Sequence, residues 1–135
     1  MRGATLEEVR RFGEQLGHSL APGAVLLFEG ELGAGKTTLI SAIVRGLGVP
    51  AGATSPTYGL VHRYEGARGP VFHLDCYRLK SPDDAADLGW DVMLSEADAL
   101  LIEWPERAGS WVPSGGRRFH LRHTADPDRR DIEER

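Results

Sequence analysis

The sequence predicts an α/β fold: one compact domain in which a central sheet of mixed strand direction is flanked by helices. Three observations predict it. Residues 24–28 and 99–102 are unbroken apolar runs, the pattern of strands covered on both faces. Residues 36–47 carry Leu39, Ile40, Ile43, Val44 and Leu47 at helical spacing. The first run and this helix are joined by Gly30-Glu31-Leu32-Gly33-Ala34-Gly35-Lys36-Thr37, which fits G-x-x-x-x-G-K-[ST], a phosphate-binding loop in its strand–turn–helix setting. The expectation is a P-loop NTPase domain over residues 1–135.

The loop's residue types suit that chemistry. Glycines at 30, 33 and 35 let the backbone take positive φ and approach phosphate oxygens closely, while the helix start offers unpaired N–H groups and the positive end of its dipole. Lys36 would set a point charge between the β- and γ-phosphates, and Thr37 would give its hydroxyl to Mg²⁺. Of sixteen basic residues only Lys36 and Lys80 are lysines; arginine's wide fork fits the cramped loop position poorly.

Taken from the start, residues 5–20 place Leu6, Val9, Phe12, Leu16 and Leu20 near helical spacing, with Thr5 as N-cap and Glu8 as its capping-box partner. Ala21-Pro22-Gly23 ends this helix before the strand at 24–29, and Gly48 ends the helix after the loop. Thr54-Ser55-Pro56-Thr57-Tyr58 offers three hydroxyls in four residues: either a segment that orders around a γ-phosphate and Mg²⁺, or a Ser/Thr turn. Residues 59–64 and 70–75 read as a hairpin, leaving Asp75 at a strand end. Ser81-Pro82-Asp83-Asp84 reads as a capped helix start, limited to about two turns by Gly89, and residues 91–98 as a further helical turn or two.

The second buried run closes on Glu103, followed by Trp104-Pro105-Glu106. Apolar residues ending in an acid form the Walker B arrangement, in which strand burial pins a carboxylate beside the loop's metal. Such strands mostly end in Asp; Glu103 is a departure whose extra methylene lengthens its reach. Residues 117–122 alternate like an edge strand, and residues 126–135 are charged and expected to fray. The five histidines lack metal-ligand spacing and are read as no zinc site.

Bulk properties narrow the function classes. A length of 135 residues supports one core and no second domain. No apolar run approaches the length of a membrane span, no secretory signal is visible, and the single Cys76 cannot form an internal disulfide and reads as a packing residue; these point to the cytoplasm. A net charge of −4 without a basic patch argues against strong independent nucleic-acid binding and favours a protein partner.

Together, Gly30 to Thr37, Ser55-Pro56-Thr57-Tyr58, His73-Leu74-Asp75-Cys76-Tyr77-Arg78-Leu79 and Glu103-Trp104-Pro105-Glu106 resemble the bacterial TsaE family, in the same order and over roughly residues 4–122. The resemblance implies a compact P-loop α/β sheet and slow ATP hydrolysis in support of a complex with the TsaD and TsaB proteins, required for the N6-threonylcarbamoyladenosine modification of tRNA. It also implies that tRNA is met indirectly, through the complex. By the same resemblance Gly33, Ala34, Gly35, Lys36, Thr37 and Thr38 cradle the phosphates, Thr37 and Glu103 hold Mg²⁺, and Asp75 assists the metal or the attacking water. Thr57 belongs to a switch-like loop and Trp104 lies beside the nucleotide. The C-terminal segment departs most from the family, and Arg129 and Arg130 are the candidates for its late basic residue near the nucleotide.

Other classes compete. A small-molecule P-loop kinase needs a second pocket and an arginine-bearing lid, for which only Arg117, Arg118 and Arg122 offer material. A GTP switch typically reads guanine through N-K-x-D, and this chain contains no asparagine. A pure binding module would leave Asp75 and Glu103 without a task.

Overall fold

In the computed structural model, which describes residues 1–50 and 60–135, the chain runs β1 (Ala4–Thr5), α1 (Leu6–Ser19), β2 (Ala24–Gly30), α2 (Lys36–Gly46), β3 (Val61–Glu65), β4 (Pro70–Asp75), α3 (Trp90–Glu96), β5 (Ala99–Glu103), β6 (Arg117–His123) and β7 (Arg129–Glu134). The switch-like loop and Thr57 lie outside the described residues.

The strands form one sheet in the order β1-β7-β6-β2-β5-β4-β3. Its centre, β6-β2-β5-β4, is parallel, and antiparallel strands finish both sides. This is the mixed sheet the sequence predicts. Alternation along the buried strands divides their side chains between two cores. Leu26, Phe28, Leu101 and Phe119 pack with Leu39, Ile40 and Ile43 of α2 on one face. Leu27, Leu100 and Ile102 pack with Trp90 and Met93 on the other.

Helix α1 begins as its capping box requires: the Glu8 amide donates to Thr5 Oγ1 (3.2 Å) and the Thr5 amide to Glu8 Oε1 (3.0 Å). It then meets α2 at backbone distance. A Cβ on Gly17 would collide with the Ile43 carbonyl oxygen, and one on Gly46 with the Glu14 carbonyl oxygen. Glycine at these positions lets the helices touch, which seats α2 on the sheet.

Three expectations need correction. The segment opened by Ser81 makes only a 3₁₀ turn, Pro82–Ala85, and the Ser81 side chain caps nothing. Its acids and carbonyls are drawn elsewhere: Asp84 accepts from the Lys80 amide (3.0 Å), and the Trp90 indole donates to the Ala85 carbonyl (2.8 Å), turning the chain before α3. Strand β6 is not an edge but lies between β2 and β7. The charged tail, expected to fray, is the ordered strand β7, because its charges are matched across the ladder: Arg117 pairs with Glu134 (2.7 Å), Arg122 with Glu133 (3.7 Å), and Ile132 is buried beneath them.

Candidate functional site

Strand β2 delivers the chain to the loop, and backbone geometry explains the glycines that matter most there. Gly30 has φ of 144° and lies so close to the Leu121 carbonyl of β6 that a side chain would collide with it. Gly35, at φ of 96°, occupies the position before α2 in the left-handed region and turns the chain into the helix. His123 of β6 braces the loop from outside, its Nε2 3.2 Å from the Leu32 carbonyl oxygen.

Lys36 is folded back onto this loop. Its ammonium donates to the carbonyl oxygens of Gly30 and Glu31 (3.1 Å to the latter) and lies 4.2 Å from the centroid of the Trp104 ring. Only 6% of the residue is exposed. Burial holds its pKa below the ordinary lysine value, and the nearby carboxylates Glu103, Glu106 and Asp75 offset part of that depression.

Opposite Lys36, parallel strands end together. Asp75 of β4 is in direct register with Glu103 of β5, which is itself in register with Phe28 of β2. In-register residues share a face, so both carboxylates stand on the α2 side of the sheet. Glu103 is buried and its Oε2 lies 2.8 Å from His73 Nε2, while Asp75 accepts from the Tyr77 amide (3.1 Å). The next residue, Trp104, has φ of 55°, the one positive φ outside glycine among the described residues. This left-handed turn lays its ring against Tyr77 (5.0 Å between centroids) and over Lys36.

These groups line one cavity of about 960 Å³. Gly33, Ala34, Gly35, Lys36, Thr37 and Thr38 form its floor, with Asp75, Glu103 and Trp104 along one wall. The start of α1 and the turn before β7 form the other wall. There Arg129 and Arg130 part company. Arg129 donates to the Gly3 carbonyl (2.7 Å) and pairs with Asp126 (3.7 Å), whereas Arg130 reaches the loop itself, donating to the Gly33 carbonyl (3.3 Å). Arg130 Nε is buried without a partner, beside Gly35.

The donor set suits a hard cation, since the Thr37 hydroxyl and the Glu103 carboxylate are oxygen ligands of the kind Mg²⁺ takes. Among the described residues no three His, Cys, Asp or Glu side chains could hold an ion by themselves. Phosphate oxygens would complete such a shell, as is usual for Mg²⁺.

His73 is the residue that sequence reasoning missed. Read among five scattered histidines it looks incidental, yet it precedes Asp75 by two in a strand and so must share Asp75's face. Cys76, by contrast, is what it was read to be: fully buried, with its thiol pushed up to about 12 by burial. The arginines offered as lid material are committed on β6, where Arg117 holds Glu134, Arg118 holds Glu29 and Arg122 holds Glu133. Among the described residues no helix is long and apolar enough to cross a membrane.

Comparison with known proteins gives the family and the fold. Residues 4–132 match the family model for the threonylcarbamoyl adenosine biosynthesis protein TsaE. The chain belongs to the TsaE family. It is 36% identical over 123 residues to the Treponema pallidum tRNA threonylcarbamoyladenosine biosynthesis protein TsaE, covering 91% of this chain and 90% of that one. The Bacillus subtilis TsaE is 31% identical over the same share of this chain and 77% of its own length. The crystal structure of Bacillus subtilis YdiB superimposes with a TM-score of 0.77 at 28% identity, covering 98% of this chain and 80% of that chain. The TsaE match runs into β7, ending at Ile132, so most of this strand falls within the family's domain.

Proposed function

We propose that this TsaE-family chain binds ATP with Mg²⁺ and hydrolyses it slowly, and that turnover cycles a complex with TsaD and TsaB in the threonylcarbamoyladenosine modification of tRNA, which is met through the complex. The observation that carries the reading is the register of Asp75 and Glu103 at neighbouring strand ends, facing the cavity whose floor is the phosphate loop.

The loop amides from Gly33 to Thr38 and the α2 dipole would receive the phosphates. Lys36 would leave the Gly30 and Glu31 carbonyls for phosphate oxygens, exchanging neutral acceptors for charged ones. Thr37 and Glu103 would hold Mg²⁺, which when bound neutralises charge developing on the transferred phosphoryl group. Asp75, fixed by the Tyr77 amide, would orient the attacking water. Trp104 would exclude solvent from the Lys36 side.

The test is ATP hydrolysis with and without TsaD and TsaB, with Lys36→Ala as control. Partner-dependent release of free phosphate, lost in Lys36→Ala, is the expected result. Label appearing on an organic acceptor would instead favour the small-molecule kinase.

A further inference from the structure

Four polar or charged side chains are buried among the described residues: Lys36, His73, Asp98 and Glu103. Lys36 and Glu103 belong to the cavity, and Asp98 pairs with Arg68 (3.2 Å). His73 has no such explanation. It is 1% exposed, its Nε2 meets Glu103 Oε2 at 2.8 Å, and its Nδ1 is buried with no partner.

The geometry points to His73 as the positioning residue for the Glu103 carboxylate. This rests on the reading of Glu103 as the acid that shares the metal with Thr37. His73 stands opposite Leu101, and Glu103 opposite Asp75, so the imidazole reaches diagonally across the β4–β5 ladder to the next residue on the same face. The orphaned Nδ1 fixes the tautomer. A buried N–H without an acceptor costs more than an unused lone pair, and an ionised carboxylate oxygen can only accept, so the proton is assigned to Nε2 and donated to Oε2.

That bond is directional. It anchors one carboxylate oxygen, and among the described residues nothing donates to the other, Oε1. Lys36 and Glu103 attract each other across the cavity yet form no ion pair among the described residues. With Oε2 tethered to β4, Glu103 is kept from collapsing onto the ammonium and stays available to the metal.

The test compares three variants of the full chain: His73→Leu, which removes the donor, His73→Gln, which keeps one at nearly the Nε2 position, and Glu103→Ala. Mg²⁺ is titrated into protein saturated with ATP, followed by calorimetry, alongside hydrolysis in the presence of TsaD and TsaB. Expected are a Mg²⁺ half-saturation raised about 10-fold or more in His73→Leu, a kcat lowered by roughly 10–100-fold, and recovery of most of both in His73→Gln. Wild-type Mg²⁺ dependence in His73→Leu, or impairment in His73→Gln equal to that in His73→Leu, would overturn the inference. Should His73→Leu not fold, His73→Met takes its place against His73→Gln. An unchanged Mg²⁺ titration in Glu103→Ala would remove the metal role of Glu103 and this inference with it. A change in Glu103→Ala alone would sink only the part given to His73.

Discussion

The Lys36 ammonium rests 4.2 Å from the centre of the Trp104 indole while donating to two carbonyls of its own loop. Contact with a cation over a ring alters indole emission and stabilises the pair by about 0.5–2 kcal/mol, so moving the lysine to a phosphate should be visible. The chain has two other tryptophans, Trp90 buried against the Ala85 carbonyl and Trp111 exposed, both outside the cavity. ATP is therefore expected to change the emission of the wild type. Trp104→Phe should lose that change while keeping nucleotide binding, and Lys36→Ala should shift the emission before any ligand is added and bind none. A full ligand response in Trp104→Phe would place the reporter elsewhere.

Glu103 and Asp75 face the same cavity but are held differently, and their loss should be felt differently. Glu103→Ala removes a proposed metal ligand, so hydrolysis is expected to fall roughly 100-fold or more, with ATP binding reduced only modestly because the loop amides and Lys36 remain. Asp75→Asn keeps the acceptor for the Tyr77 amide. It should lower hydrolysis while leaving the Mg²⁺ requirement close to the wild type. Initial rates across a Mg²⁺ series separate the two, and full activity in Glu103→Ala would show the metal assignment to be wrong.

Burial of Lys36 also predicts a pH dependence of stability. Its folded-state pKa lies below the ordinary 10.5, so between the two values the unfolded chain binds the extra proton. Stability then rises with pH through that window, and the penalty for burying the charged ammonium is fully present below it. Denaturant unfolding of ligand-free protein from pH 7 to 10.5 should show a gain attributable to Lys36. Lys36→Met should lack that gain, so the stability difference between the two proteins changes in the wild type's favour as pH rises. Parallel curves would mean that the folded site does not disfavour the charge.

Much of this was legible in the sequence because the signals were local and periodic. The phosphate loop, both buried strands and the capping box of α1 each lie within about a dozen consecutive residues, and family resemblance fixed the order of motifs. What escaped notice depended on pairing across the sheet. Residues 129–134 look like a solvated tail until β6 is set beside them and Arg117 finds Glu134. His73 shows its purpose only when β4 is laid against β5, and of the two arginines lining the cavity Arg130 reaches the loop while Arg129 is held by the Gly3 carbonyl just before β1. Ser81 carried a sound capping pattern, but the Trp90 indole captured the Ala85 carbonyl and closed the helix after one turn.

The contact between α1 and α2 yields a prediction whose sign decides between two effects. Gly46 is the last residue of α2, where intrinsic propensity favours alanine over glycine by at most about 1 kcal/mol. Packing opposes this, since a Cβ at Gly46 would run into the backbone carbonyl of Glu14, and a backbone group cannot rotate aside as a side-chain tip can. Overpacking of this kind costs about 1–3 kcal/mol, enough to outweigh the propensity. Gly46→Ala is thus expected to lower the urea midpoint at unchanged slope, and Gly17→Ala, facing the Ile43 carbonyl from the other helix, should do the same. Because each substitution relieves its clash only by parting the same two helices, the double variant should lose less than the sum of the single losses. Strict additivity would show that the helices yield independently at the two points, and stabilisation by either alanine would show that the glycines are not what brings them together.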